Sequence, residues 1–566
     1  MLHLIPKVKS LEIQEGYLLN KAIFCDTMGL DARLVTALGA LSADKGGTPL
    51  KFSVGEDAQD ESYTLSVAER EICITAQGVR GAFYAIQTLR QLFTEECVPC
   101  LFIEDKPDFA YRGFYHDITR GKVPTLKTLK ALVDRMVYLK MNSLQLYVEH
   151  TYPFKECHEF AKQWGAITPQ ELCELDAYCR ERFVDFIPSL ATFGHMYEIL
   201  RKEPYRHLRV LSDFEETNNF RWERMRHHTI NPEHPESLPL VRSLIGQYMP
   251  SFCSDYFNIC CDETFDLEES LGERAGALYV DFVKKIIREV KAHGKTPMMW
   301  ADILEKHPET IKELPEDTVF LSWDYSNTVE KEKIEKIAAF GRPQIVCPGT
   351  SSWSNLCESL PSSEDNIGRM AEYGYECGAI GVLNTNWGDL GNPCSLELAD
   401  FGLAWGAEKS WSVATEKGGE FYENIEHLVY KKSGAVTLLK KVGALSPSGA
   451  LWNTLTNLYF NLRFGENHKV YIQGLDDSEK RDALLEIRDS LAKEVWEKDN
   501  YRREMMIAAE GLAVTVELLA KALGDPIERK TDTEAWLKRY REAWLLSSKE
   551  SELPRIEEQF RFLDAM

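Results

Sequence analysis

Between about residues 110 and 410 the chain repeats one rhythm eight times, and that rhythm limits the folds open to it. Short apolar or β-branched runs stand at Tyr111–Ile118, Ser143–Val148, Val184–Leu190, Tyr256–Cys261, Pro297–Trp300, Thr318–Trp323, Gln344–Cys347 and Ala379–Asn384. A helical pattern separates most of them. It is clearest from Thr125 to Met141, with Pro124 at its entrance and Leu126, Leu129, Val133, Met136 and Val137 on one stripe. Strand-like runs alternating with helices point to a parallel sheet covered on both faces. Eight of them in one stretch fit an α/β fold of the (β/α)8 TIM barrel type. A doubly wound open sheet is the runner-up, but no glycine-rich phosphate fingerprint follows the first run.

The flanks differ from this centre. Residues 1–105 predict a small α/β N-terminal domain: Ser62–Val67 and Glu71–Thr75 alternate as strands, and Phe83, Ile86, Leu89, Leu92 and Phe93 recur at near-helical period. Lys106-Pro107-Asp108 punctuates the chain, and the barrel is expected over 106–415. Residues 416–566 predict a helical C-terminal domain, with amphipathic patterns at Glu420–Tyr430, Ala435–Val442, Ala483–Val495 and Glu504–Leu523. No catalytic constellation stands there, so packing or homodimer formation is its expected use.

Composition narrows the partners. With 44% apolar and 27% charged residues the chain can bury a large core, and a net charge of −23 makes nucleic acid or an anionic membrane a poor partner. No apolar run approaches the ~18 residues of a membrane span, and the opening Met1–Ser10 has no signal-peptide pattern, so the expected address is cytoplasmic. Fourteen cysteines are too dilute for a disulfide scaffold, and Cys97-Val-Pro-Cys100 has no second pair at zinc spacing; the cysteines are expected to be reduced and structural.

A barrel carries its chemistry where strands end. Those positions hold Arg112 and Asp117, Glu149 and His150, His195, Asp262 and Glu263, Trp300 and Asp302, Trp323 and Tyr325, Trp353 and Asn355, and Trp387 and Asp389. Four of twelve tryptophans thus fall at four consecutive strand ends, a grouping that suits an apolar cage for a sugar ring better than scattered core packing. The adjacent Asp262 and Glu263 follow a buried run; strand alternation predicts that they point different ways, and their proximity predicts pKa values pushed apart. A solvated Asp-Glu loop is the plain alternative.

Tyr111-Arg112-Gly113-Phe-Tyr-His-Asp117-Ile-Thr-Arg120, followed by a helix and Met141-Asn142-Ser143-Leu-Gln-Leu-Tyr-Val-Glu149, resembles the first barrel unit of glycoside hydrolase family 20, the β-N-acetylhexosaminidases. Cys261-Asp262-Glu263, Gly194-His195, Trp300-Ala-Asp302 and Trp387-Gly388-Asp389 fall in the family's order, and Gly78–Leu89 is similar to the end of its small N-terminal domain. The resemblance covers about residues 60 to 405. It implies a glycan or amino-sugar substrate with a terminal β-linked GlcNAc or GalNAc, whose own 2-acetamido oxygen is the nucleophile. On that reading Glu263 is the general acid and then base, and Asp262 orients the acetamido N–H. Arg112 and Asp389 bind outer hydroxyls, with an Arg112–Asp117 ion pair as the competing use of that arginine. His195 with Glu149 tunes the acid, and Trp300, Trp323 and Trp387 wall the pocket. No metal or organic cofactor is implied.

The chain departs from the family in places. Asn258, Cys260 and Cys261 replace a histidine and two glycines before the Asp-Glu pair, and His150 stands where an acidic residue is expected. The family's tyrosine after the seventh strand is missing, since Ser354 follows Trp353; Tyr325 is the candidate replacement. Two other readings stay open: a retaining glycosidase with Glu149 or Asp302 as protein nucleophile, and a non-catalytic glycan-binding barrel. A metal hydrolase is disfavoured by the lack of H-x-H or H-E-x-x-H spacing.

Overall fold

A computed structural model describes residues 2–19, 21–41, 47–159, 165–211, 227–446, 449–470, 478–525 and 527–566. The first part builds a sheet from β1 (Ser10–Leu18), β2 (Ile23–Phe24), β3 (Thr48–Val54), β4 (Tyr63–Val67), β5 (Ile72–Ala76) and β6 (Val98–Asp105), in the order β1-β6-β4-β5-β3-β2. The expected alternation holds: Tyr63, Leu65 and Val67 are buried while Thr64 and Ser66 are half-buried. Against that face packs the helix Val79–Leu92, through Phe83, Ile86 and Leu89.

The eight central runs close into a barrel of β7 (Tyr111–Asp117), β8 (Ser143–Val148), β9 (Asp185–Leu190), β10 (Tyr256–Asn258), β11 (Thr296–Trp300), β12 (Val319–Trp323), β13 (Gln344–Cys347) and β14 (Gly381–Asn386). Neighbours are parallel, and β14 pairs with β7 to shut the ring. The strand β10 stops at Asn258, short of the expected Cys261, because the left-handed backbone at Cys260 (φ 57°) and Cys261 (φ 67°) cannot continue a ladder. Helices cover the outside. On Leu126–Tyr138 the predicted stripe is buried through Leu129, Val133, Met136 and Val137, and Thr125 caps the helix by accepting from the Thr128 amide at 3.2 Å.

The C-terminal part is helical. The predicted spans fall on Gly419–Ile425 with a π-helical extension Glu426–Tyr430, on Ala435–Leu445, on Ser478–Ala492 and on Asp499–Leu523; Val495 lies beyond its helix and is exposed. The helices Ala450–Phe464, Thr533–Ser547 and Leu553–Ala565 were not anticipated, and the first of them buries Thr454, Thr456 and Asn457 beside its apolar residues, which blurs the period. These helices brace one side of the barrel mouth. The Lys549 and Glu552 amides donate to Val123 and Gly121 carbonyls, and Trp452 Nε1 and the Tyr540 hydroxyl donate to the carbonyls of Leu390 and Pro393. The loops after β7 and β14 touch at Gly121 (φ 119°), where a Cβ would stand 2.2 Å from the Gly391 backbone, so only glycine permits the contact. No described helix is long and apolar enough to cross a membrane.

Candidate active site

At the carboxyl ends of β8, β9 and β10 three acidic side chains surround one imidazole. His195 Nε2 lies 3.3 Å from Glu263 Oε2 and 3.4 Å from Asp262 Oδ2, while its Nδ1 lies 3.8 Å from Glu149 Oε1. The Tyr147 hydroxyl donates to that Glu149 oxygen at 2.9 Å. Asp262 and Glu263 therefore converge, contrary to the alternation expected of them. Both lie beyond the last paired residue of β10, and Glu263 itself is left-handed (φ 52°), so the pleat no longer sets where they point. Asp262 Oδ1 is buried and takes no hydrogen bond from the described residues, an arrangement that costs about 1–3 kcal/mol until a donor reaches it.

The charges settle around His195. Burial alone would depress its pKa, but the Asp262 and Glu263 carboxylates outweigh burial and hold the imidazolium well above the usual histidine range. Burial pushes Glu263 up, and His195, helped by Arg120, more than reverses this, so its carboxyl lies below the ordinary value. Proximity alone predicts an acid raised by its neighbour, but Glu263 is lowered instead, because the imidazole beside it favours its own proton. For Glu149 too, burial is overcome by His150, His195 and Arg120, which take it down to about 2.

Arg112 is not part of this site. It sits at the opposite end of β7, fully buried, with Nη1 2.6 Å from Glu61 Oε2 of the small domain and Nε donating to the Lys140 carbonyl. Position within the strand explains the correction: the second residue of a barrel strand faces the amino-terminal end, whereas the loop after the strand lines the mouth. Nor does Arg112 pair with Asp117. That partner is Arg120, whose Nε is 2.7 Å from Asp117 Oδ2 and whose Nη1 reaches Asp389 Oδ1 at 2.5 Å. Arg120 closes the sequence block that carries the family likeness, and its place after the strand was the available signal. Its guanidinium also lies over the rings of Trp387 (4.8 Å) and Tyr147 (5.1 Å), which fixes it beside the cage.

The tryptophans divide into floor and wall. Trp300 is wholly buried and packs edge-on against Tyr115 at 5.2 Å, so it is the floor rather than a wall. Above it Trp387 stands 5.7 Å away, with Nε1 donating to the Tyr325 hydroxyl at 2.7 Å. Tyr325 stacks on Trp323 (5.1 Å, 18°) and meets Trp353 edge-on (5.1 Å). Trp323, Tyr325 and Trp353 are half-buried and close one continuous aromatic wall.

His195, Asp262 and Glu263 present ligand atoms within 4.8 Å of one another, a donor set that could in principle hold a divalent ion.

The model of the glycosyl hydrolase family 20 catalytic domain matches residues 109–367, and that of the family's domain 2 matches residues 2–106. A beta-hexosaminidase of Akkermansia muciniphila is 32% identical over 160 residues, 24% of this chain and 32% of that protein. Hexosaminidase D of Homo sapiens is 25% identical over 294 residues, 47% of this chain and 58% of that protein. The chain thus spans less than two thirds of either relative. The crystal structure of Flavobacterium johnsoniae chitobiase is similar over 99% of both chains, with a TM-score of 0.62; at 16% identity this likeness is one of fold.

Proposed function

The chain belongs to glycosyl hydrolase family 20, and on that footing we propose that it is an exo-acting hydrolase removing terminal β-linked N-acetylhexosamine by substrate-assisted retaining catalysis. The observation that carries this is the convergence of Asp262 and Glu263 on His195 beside an aromatic wall. The substrate's acetamido oxygen attacks the anomeric carbon while Glu263 protonates the leaving oxygen; Glu263 then takes a proton from water as the cyclic intermediate opens. Before substrate arrives the proton is on His195. At 3.3 Å from Nε2, Glu263 recovers it when the sugar displaces water and the ionised pair loses its solvation. Asp262, with Oδ1 free to accept, takes the acetamido N–H and holds a fixed negative charge opposite the growing positive one. Trp387, Trp323 and Trp353 stack on the sugar face, and Asp389 with Arg120 meets the outer hydroxyls.

The carboxylates that a protein-nucleophile mechanism would use are turned elsewhere. Glu149 accepts from Tyr147 and faces His195, and Asp302 accepts the Glu263 amide. This supports the acetamido oxygen as nucleophile. A panel of nitrophenyl glycosides with and without the 2-acetamido group tests the reading: hydrolysis is expected only of the acetamido sugars, with tight binding of a thiazoline mimic that Asp262→Asn abolishes. Equal turnover of sugars lacking the group, or a covalent adduct trapped on Glu149 or Asp302 by a fluorinated sugar, overturns it.

A further inference from the structure

We propose that Asp302 and His228 are positioning residues that fix the backbones of the acid and of its histidine, an inference that rests on the function proposed above. Glu263 (φ 52°) and His195 (φ 57°) are both left-handed, although neither is glycine. An L-residue there brings its Cβ against its own carbonyl and holds that conformation only where the surroundings impose it. Here both residues carry the same restraint. The Glu263 amide donates to Asp302 Oδ2 at 3.0 Å, and the His195 amide donates to His228 Nδ1 at 2.7 Å. Each bond runs from a reacting residue's main chain to a side chain that takes no part in the chemistry.

The two clamps come from different elements. Asp302 begins the short helix Asp302–Lys306 just after β11, so the neighbouring strand sets the backbone of the acid. His228 lies in the long connection from β9 to β10 and folds back on His195, with the rings 4.9 Å apart and nearly perpendicular. To accept at Nδ1 it must be a neutral imidazole with its proton on Nε2, which lies 3.8 Å from Asp266 Oδ1. Asp266 is held in turn, its other oxygen accepting the Thr229 amide at 3.0 Å. Burial and the charge on His195 both oppose a second imidazolium, which agrees with the acceptor role.

The consequence is geometric. Left-handed φ at Glu263 is what swings its carboxylate onto the Nε2 that Asp262 also reaches; released to an extended φ, the pair would return to pointing apart. Both clamps need a lone pair at a fixed place, not a charge. That separates them from a nucleophile and from an electrostatic role, for either of which the negative charge of Asp302 would be indispensable.

The test compares an acceptor-keeping with an acceptor-losing variant at each position, read by kinetics and by hydrogen–deuterium exchange of the Glu263 and His195 amides. Asp302→Ala is expected to lower kcat on the order of tenfold to a hundredfold with KM within about twofold, because a misplaced acid damages turnover more than binding. Asp302→Asn is expected to restore kcat to within about threefold of the parent. His228→Leu and His228→Asn should behave as the corresponding pair. In exchange, the Glu263 amide is slow in the parent and in Asp302→Asn and fast in Asp302→Ala. Unchanged protection in Asp302→Ala and His228→Leu overturns the clamps, whatever the activity. A kcat as low in Asp302→Asn as in Asp302→Ala, with both folded, overturns the acceptor role and assigns the charge instead. Should the parent not hydrolyse acetamido sugars, the functional reading fails while exchange still decides the clamps. If Asp302→Ala does not fold, the His228 pair carries the same decision.

Discussion

Nε2 of His195 stands 3.3 Å from Oε2 of Glu263, which makes the imidazole and the carboxylate a single unit. Glu149 closes the chain on the far side of the ring, 3.8 Å from Nδ1, and is anchored by the Tyr147 hydroxyl. A general acid that rests ionised against an imidazolium needs only a short proton shift to become competent, and that shift follows from removing water.

Glu263→Gln is expected to lower kcat/KM by on the order of 10²–10⁴ on glycosides whose leaving group must be protonated. The loss should be far smaller on a substrate whose leaving group departs as a stable anion. Steady-state kinetics on both substrate types checks this; equal, small losses contradict the assignment.

Glu149→Gln tests the electrostatics in two ways. Removing the anion beside Nδ1 weakens the support for the imidazolium, so the alkaline limb of the kcat/KM profile should move to lower pH. Stability gives the second sign. The folded-state pKa of Glu149 is depressed to about 2 from 4.5, so its contribution is complete above 4.5 and is lost as pH falls towards 2. The gap in Tm between parent and variant should therefore be constant at neutral pH and close on acidification below 4.5.

Trp387→Ala removes a stacking face and should weaken sugar binding by about 1–3 kcal/mol, measured as an inhibitor Kd by calorimetry. Because Trp387 also packs on Trp300, Tyr115 and Tyr147, a loss of stability of about 3–5 kcal/mol is expected with it. Binding unchanged in a folded variant would return Trp387 to the core alone.

The two arginines of the β7 segment should behave oppositely. Arg112→Met removes the 2.6 Å partner of the buried Glu61 carboxylate and leaves it only Arg80, at 3.8 Å, as a charged partner, which should cost up to about 3–5 kcal/mol in denaturant unfolding with kcat and KM per folded molecule unchanged. Arg120→Gln, at the mouth, should raise KM with a smaller effect on unfolding. A rise in KM for Arg112→Met alone would reverse this assignment.

The sequence by itself determined the barrel, the small domain before it and the presence of an acid pair, a histidine and tryptophans at the strand ends. Those features are local: burial period and chain order place a residue at a strand end without knowledge of its neighbours. What only the tertiary structure decided is how those ends meet. Arg112 and Arg120 flank one strand and carry the same charge, yet the direction of β7 in the closed barrel sends the first to Glu61 and the second to Asp389. Asp262 and Glu263 were expected to diverge and instead converge, because left-handed backbone at Cys260, Cys261 and Glu263 is invisible in a stretch without glycine. Trp300 proved to be floor because burial within the barrel depends on the layer above it. Asp302 and His228 reach the site through the main chain, from β11 and from a distant part of one loop, and no local pattern records a bond between a side chain and another segment's amide.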